Sequence, residues 1–297
     1  MVWTAGWRLA SAASENGCLG LIGSGSMKPE LLREHITKLR NYFKEKNIEK
    51  PFGVNIPLIR GDVNELVKTV IDEKIKIVFS SAGNPKVHSK ILKENGITLV
   101  HVIASVKHAL KAQDAGCDAV VAEGFEAGGH NGIDEITTFC LVPQVVDALE
   151  IPVIAAGGIA TGRQIAAAFA LGAEGVQIGT RFAATFEASS SDAFKQKIVE
   201  AKDDATILTL KKLAPVRLFK NKFALDALDA EKRGANEDEL KELLGKKREM
   251  KGIFEGNTEE GELEMGQSSG LVNDIKSVMD VVNDLRIEYE KTLNTLK

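Results

Sequence analysis

The sequence predicts an α/β fold, a (β/α)8 TIM barrel that lacks a recognisable first strand and carries an inserted helical region. Short aliphatic runs alternate with amphipathic segments up to about residue 180, which is typical of a parallel sheet covered by helices. Such a sheet is either closed as a barrel or open and doubly wound. No Gly-x-Gly-x-x-Gly pattern follows any of the runs, and its absence disfavours the dinucleotide-binding version of the open sheet.

Seven aliphatic runs are visible, whereas a closed barrel of this type needs eight strands. The predicted strands are Cys18–Ile22, Phe52–Asn55, Ile77–Phe79, Thr98–Val102, Ala119–Ala122, Val153–Ala156 and Gly175–Ile178. The predicted helices between and after them are Pro29–Lys46, Asp62–Glu73, Pro85–Glu94, Ser105–Ala115, Val142–Leu149 and Gly162–Leu171. A further helix is predicted over Trp3–Asn16, before the first visible strand. We therefore expect the strand without a counterpart to be the first one.

The chain divides into three regions. Residues 1–191 carry the alternation and form the barrel. Residues 192–264 are densely charged and are predicted as a helical insertion or lid over the barrel mouth, with a solvated helical appendage as the alternative. Residues 265–297 return to the barrel, and Leu271–Leu296 has the apolar spacing of a last outer helix.

Composition excludes several classes of function. The chain has 38 Lys and Arg against 42 Asp and Glu, a net charge of −4, so no nucleic-acid partner is expected. No apolar run approaches the roughly 20 residues of a membrane span, and no signal peptide is visible, so we expect a cytoplasmic protein without a membrane partner. The cysteines Cys18, Cys117 and Cys140 are widely spaced and indicate neither a disulfide framework nor a metal site.

The stretch Ala122–Gly132 is the strongest candidate for chemistry. It follows a predicted buried strand, and barrels keep their active sites at that end of their strands. Four glycines allow close approach of the backbone to a ligand, and His130 stands among them. We interpret His130 as a catalytic residue beside a cofactor; a flexible loop with an incidental surface histidine is the alternative.

Two later strand ends predict a phosphate site. The segments Ala155–Gly162 and Gln177–Phe182 each place glycines where a strand gives way to a helix, so that free backbone amides can face one anion. Gly157, Gly158, Gly179 and Thr180 would hold a monophosphate. Arg181 is interpreted either as a counter-charge or as a flanking salt-bridge residue.

Earlier strand ends supply polar groups for a ring-shaped ligand. The Asn55 amide both donates and accepts hydrogen bonds, as the edge of a heteroaromatic ring requires, and Ser80 and Ser81 add hydroxyls. With the phosphate site, these residues outline a mouth for a ring with a phosphorylated tail.

These residues carry a family resemblance. The stretches that carry it are Gly53–Asn55, Ser80–Pro85, Ala122–Gly132, Ile154–Ile159 and Val176–Phe182. They resemble the nitronate monooxygenase (2-nitropropane dioxygenase) family, whose superfamily includes the flavin-dependent enoyl-acyl-carrier-protein reductases. The resemblance covers nearly the whole chain, and Gly266–Gly270 is similar to the late flavin-side loop of that family.

The resemblance implies an FMN-binding barrel in residues 1–191, with His130 as the catalytic imidazole and no metal. The residues implied to bind FMN are Asn55, Ser80, Glu123, Gly128, Gly129, Gly157, Gly158, Gln177, Ile178, Gly179, Thr180, Gln267 and Ser268. The family begins with a strand ending in Gln-Gly-Gly-Met that touches the flavin, and here Met1 alone corresponds to it, in agreement with the missing strand. Glu123 is an acid where some nitronate-oxidising relatives have an amide, which favours the reductase branch slightly.

The expected function is an FMN-dependent oxidoreductase, with oxidation of alkyl nitronates by O2 as the first hypothesis. The alternatives are an enoyl-acyl-carrier-protein reductase that uses NAD(P)H in fatty acid synthesis, an NADH:quinone reductase on the same scaffold, and an inactive flavin-binding module. The expected ligand is a small molecule, a nitronate or an enoyl thioester, and a homodimer is considered.

Overall fold

The computed structural model describes residues 1–296, and its centre is a curled parallel sheet of seven strands that follow one another in chain order. The strands are β1 (Gly20–Gly23), β2 (Phe52–Pro57), β3 (Ile77–Ser81), β4 (Thr98–Ile103), β5 (Ala119–Glu123), β6 (Gly129–His130), β7 (Val153–Ala156), β8 (Gly175–Gln177), β9 (Thr206–Thr209) and β10 (Val216–Phe219). All seven predicted strands are confirmed, and they form the central sheet in the order β1-β2-β3-β4-β5-β7-β8.

Helices cover the outer face of this sheet. The helices are α1 (Trp7–Glu15), α2 (Pro29–Glu45), α3 (Val63–Asp72), α4 (Lys86–Glu94), α5 (Val106–Asp114), α6 (Thr138–Ala148), α7 (Gly162–Ala170), α8 (Thr180–Ala183), α9 (Asp192–Glu200), α10 (Lys222–Lys232), α11 (Glu237–Leu244) and α12 (Val278–Thr295). The prediction placed the start of α6 at Val142. The helix begins earlier because the Thr137 hydroxyl accepts a hydrogen bond from the amide of Cys140 and caps its first turn. Among the described helices, none combines the length and the apolar character that crossing a membrane requires.

The sheet has apolar side chains on both faces because parallel strands are buried on both sides. The large core between sheet and helices contains Ile22, Val78 and Val120. A smaller cluster fills the inside of the curled sheet, around Phe79 and Val121. This inner cluster forms a floor beneath the carboxyl ends of the strands.

The sheet is open between its edge strands β1 and β8, which do not pair with each other in the described residues. The backbone of residues 1–6 runs along this gap, where the Gly23 amide donates a hydrogen bond to the carbonyl oxygen of Ala5. The helix predicted over Trp3–Asn16 therefore begins only at Trp7. The sequence pattern did not distinguish these six residues because their burial comes from contacts with distant segments, such as the packing of Ala5 against Ala188 and Val278.

The region 192–264 contains the helices α9, α10 and α11, and it also contains a β-hairpin that was not predicted. Strand β10 lies between β9 and β6 and pairs antiparallel with both. The hairpin was missed because each strand is only four residues long within a densely charged region. It joins the region 192–264 to the loop that carries His130. The boundaries of the three regions stay predictions.

Candidate active site

Polar side chains form a ring at the inner rim of the curled sheet. Successive side chains of a strand point to opposite faces, so residues two apart share a face. Val121 belongs to the inner cluster, so Glu123, two residues later on β5, points to the same inner face. Phe79 also belongs to the inner cluster, so Ser81, two residues later on β3, points inward too. By the same alternation Asn55 and Gln177 point inward. Asn55, Ser81, Glu123 and Gln177 thus surround the mouth above an apolar floor, and we call them the rim.

The Asn55 side chain spans two strands. Its Nδ2 group donates hydrogen bonds to the carbonyl oxygen of Phe79 at 3.1 Å and to the hydroxyl oxygen of Ser81 at 3.3 Å. These bonds fix the orientation of the amide and leave its Oδ1 atom as an acceptor at the mouth. An acceptor held in this way suits the N–H edge of a ring-shaped ligand.

Glu123 lies at the end of β5, where its carboxyl has no hydrogen-bond partner among residues 1–296. Burial raises the pKa of Glu123 to about 7, because the charged form loses hydration. The rim therefore contains an acid that changes its charge near neutral pH.

The prediction for Ser80 needs correction. Ser80 is 1% exposed on the helix side of β3, and its hydroxyl lies 2.7 Å from Nδ1 of His101. The alternation of β3 directs Ser80 away from the mouth and directs Ser81 into it. His101, on the adjacent strand β4, also lies on the helix side, and burial lowers its pKa to about 4.

The ends of β7 and β8 present the expected cradle for an anion. Gly157 and Gly158 have φ values of +86° and +72°, which side chains rarely tolerate. No acceptor among the described residues bonds the backbone amides of Gly158, Gly179 and Thr180. Free amides beside the start of a short helix are the usual donors to a phosphate group. The structure thus brings these predicted residues together.

Arg181 and Ile178 serve the packing around this cradle. The guanidinium of Arg181 is buried and donates to Oδ1 of Asp274 at 2.9 Å and to its carbonyl oxygen at 3.0 Å. Arg181 is therefore the flanking salt-bridge residue rather than the counter-charge. The Ile178 side chain packs against the outer core, so only its backbone is available to a cofactor.

The loop after β5 runs beside the segment 264–268. The amide of Gln267 donates to the carbonyl oxygen of Glu126 at 2.9 Å, and the amide of Gly266 donates to the hydroxyl of Thr180 at 2.9 Å. Gly128 packs so closely that an added Cβ atom would lie 2.5 Å from the carbonyl carbon of Met265. Residues 264–268 thus connect the loop of His130 to the anion cradle. Within this segment the Gln267 side chain is exposed and Ser268 is buried.

His130 stands on β6, in register with Val216 of the hairpin. Its side chain is 63% exposed, and its Nδ1 atom lies 4.0 Å from Oε1 of Glu264. Glu264 also approaches Gly129, where an added Cβ would lie 2.9 Å from Oε2. The imidazole therefore faces solvent on one side and a carboxylate on the other.

Arg217 and Glu264 are site residues that were not predicted. Arg217 is 3% exposed, lies 4.9 Å from the ring centre of Phe125, and donates to the carbonyl oxygen of that residue at 2.9 Å. Both residues belong to the region 192–264. Because that region contains many charged residues, no single one of them stands out in the sequence. The alternating Val-Arg-Leu-Phe of β10 is the one signal that could have identified Arg217.

Comparison with known proteins agrees with this architecture. The model of the family described as nitronate monooxygenase matches residues 1–69 and 63–288. A (3aS,4S,5R,7aS)-5-hydroxy-7a-methyl-1-oxo-octahydro-1H-indene-4-carboxyl-CoA dehydrogenase of Mycobacterium tuberculosis is 31% identical over 99% of this chain and 92% of its own. A "Probable nitronate monooxygenase" of Bacillus subtilis is 34% identical over 68% of this chain and 69% of its own.

A solved structure of FabK from Thermotoga maritima is 44% identical, covers 100% of this chain and 92% of its own, and superposes with a TM-score of 0.92. The similarity to FabK includes the region 192–264 as well as the barrel. The chain belongs to the nitronate monooxygenase family and is an oxidoreductase.

Proposed function

We propose that this protein binds FMN at the rim and the anion cradle and reduces the carbon–carbon double bond of an enoyl thioester, with NAD(P)H as the electron donor. The observation that carries the proposal is the 44% identity to FabK over the whole chain, including the region 192–264 that stands at the mouth. FabK is an enoyl-acyl-carrier-protein reductase. The carboxyl-CoA dehydrogenases supply a second argument, because their substrate is also a thioester and they match 99% to 100% of this chain.

The residues present fit FMN. The free amides of Gly158, Gly179 and Thr180 offer donors for the ribityl phosphate. Asn55 offers an acceptor and Glu123 a carboxyl to the ring, over an apolar floor that excludes water. When bound, FMN supplies the hydride chemistry, and the protein supplies position and proton control.

His130 is the residue we assign to the substrate. An imidazole can donate a hydrogen bond or a proton to the thioester carbonyl. Its exposure leaves room for a substrate that approaches from the solvent side. Glu264 stands beside Nδ1, so Nε2 is the ring nitrogen that remains for the substrate.

Nitronate oxidation, the first hypothesis from sequence, is the second candidate. Its support is the family model and the 34% identity to the Bacillus subtilis relative. That relative matches only 68% of the chain. The same cradle and the same imidazole would serve a nitronate. The two candidate reactions therefore differ in which substrate can enter the site.

Two assays on the FMN-loaded protein separate the candidates. With oxygen removed, we expect oxidation of NADH or NADPH that depends on crotonyl-CoA, and with oxygen present, no oxygen uptake on adding propyl-2-nitronate. The reverse pattern would establish the nitronate monooxygenase. His130→Ala should keep the flavin and lose turnover, whereas His108→Ala, on the exposed face of α5, should change neither. Full activity of His130→Ala would remove His130 from the chemistry.

A further inference from the structure

The Glu123 carboxyl occupies a distinctive position at the rim. It is level with Ala156 on the adjacent strand β7, and the inner cluster that includes Val121 lies directly beneath it. The other rim side chains, those of Asn55, Ser81 and Gln177, are uncharged. No lysine, arginine or histidine side chain belongs to the rim, so a negative charge on Glu123 is not neutralised by a neighbour of this kind.

The contacts of Glu123 differ from those of the nearby Glu126. The Glu126 carboxylate accepts hydrogen bonds from the amide and the hydroxyl of Thr138, at 2.9 and 3.0 Å. Glu123 accepts none from residues 1–296 and is left for a ligand at the mouth. Glu126 thus shapes its loop, whereas Glu123 has no comparable structural task.

The groups around Glu123 determine its charge. The inward residues of the two neighbouring strands are apolar, with Val102 on β4 and Ala156 on β7. Because burial without a hydrogen-bond donor disfavours a carboxylate, the carboxyl exchanges its proton close to neutral pH. A second negative charge at the mouth would disfavour the carboxylate further.

We propose that Glu123 takes up one proton when a flavin bound at the rim is reduced and releases it when the flavin is oxidised. NAD(P)H, the proposed electron donor, would supply two electrons and a proton to the ring as one hydride, and one additional proton would pass from solvent to a carboxylate oxygen of Glu123. The reduced ring carries more negative charge than the oxidised ring, and the neutral carboxyl removes the repulsion between them. The inference rests on the proposed FMN binding and is independent of the substrate class.

The test is a redox titration of the FMN-loaded protein without substrate, from about pH 6 to about pH 9. Above about pH 7 one more proton per two electrons changes the equilibrium constant by a further factor of ten for each pH unit, so the wild-type potential should fall ~30 mV per pH unit more steeply than that of Glu123→Gln. Below that pH the carboxyl is already neutral in both redox states, and the two slopes should converge. Glu123→Asp, which keeps a titratable group, should retain the additional slope.

Glu174→Gln is the matched control, because Glu174 is exposed at the other end of the sheet, before β8. It should keep the wild-type slope. A second measurement uses the wild-type protein alone, so it does not depend on whether a variant binds flavin. Above about pH 7, the infrared difference spectrum between the reduced and the oxidised protein should gain the C=O stretch of a protonated carboxyl.

The outcomes separate this inference from the proposed function. Equal slopes for wild type and Glu123→Gln, or no carboxyl band on reduction, would overturn the role of Glu123 while FMN binding stands. A wild-type protein that binds no FMN would overturn both. A protein that shows the additional slope and no activity on thioesters would overturn only the proposed substrate.

Discussion

Nδ1 of His130 lies 4.0 Å from Oε1 of Glu264, and the two residues reach each other from different parts of the chain. His130 belongs to the loop after β5, and Glu264 ends the region 192–264. Because β6 pairs with β10 and Gly128 packs against Met265, both residues are held by backbone contacts. The orientation of the imidazole therefore depends on the region 192–264.

Glu264→Gln should lower turnover about fivefold and leave FMN affinity unchanged. A partly exposed contact between a carboxylate and an imidazole contributes about 1 kcal/mol, which corresponds to that factor in rate. Steady-state kinetics and flavin fluorescence measure the two quantities. Glu255→Gln, at an exposed position of the same region, should behave as wild type. Wild-type turnover in Glu264→Gln would show that the pair does not orient His130.

Arg217→Met should destabilise the junction between the hairpin and the barrel loop by about 2 kcal/mol. The methionine fills much of the volume but leaves the buried carbonyl oxygen of Phe125 without its donor. Urea unfolding measures the loss. Affinity for the proposed FMN should fall with it, because Phe125 belongs to the loop that carries His130. An exposed control, Arg163→Met, loses only a surface salt bridge and should remain within about 0.5 kcal/mol of wild type. Unchanged stability of Arg217→Met would mean that water replaces the guanidinium.

Gly128→Ala should separate the His130 loop from residues 264–268. The added Cβ would lie 2.5 Å from the carbonyl carbon of Met265, so the backbone must move, at a cost of roughly 1–3 kcal/mol. We expect lower thermal stability and weaker FMN binding. Gly61→Ala is the control, since nothing lies within 4 Å of a Cβ at that glycine. Equal behaviour of both variants would contradict the packing described here.

The free energy of unfolding should fall as pH rises through the range in which the Glu262 carboxyl is protonated in the folded state and ionised in the unfolded state. Burial and the nearby carboxylates of Glu264 and Glu249 raise the pKa of Glu262 to about 8, against the opposing effect of Arg248. Between its unfolded pKa of about 4.3 and about 8, the folded state binds the extra proton, so the free energy of unfolding decreases with pH. The contribution is at most about 1.4 kcal/mol per pH unit.

Glu262→Gln should remove this contribution and flatten the dependence of the unfolding free energy on pH. Chemical denaturation of wild type and variant at several pH values gives the difference. Glu123 contributes in the same direction in both proteins, so the comparison isolates Glu262. Parallel curves would mean that Glu262 titrates alike in both states.

Most of the central strands were predictable because they carry short runs of aliphatic residues, and burial on both faces of the sheet leaves this local signal. The meeting of the glycines after β7 and β8 was also predictable, because the carboxyl ends of adjacent parallel strands lie at one edge of a sheet; that these glycines hold an anion stays a prediction. Ser80 shows where the pattern failed. Two consecutive serines stand at the end of β3, and only the register of the strand in the sheet determines which hydroxyl faces the mouth.

The sequence by itself determined the alternation of strands and helices, the seven strands and the glycines of the cradle, because those depend on local periodicity and backbone freedom. The tertiary structure decided which side chains meet. The pairing of β6 with β10, the approach of Glu264 to His130, and the place of Arg217 beneath Phe125 join residues far apart in the chain. Contacts of that kind depend on packing between distant segments, and such packing leaves no periodic pattern in the local sequence.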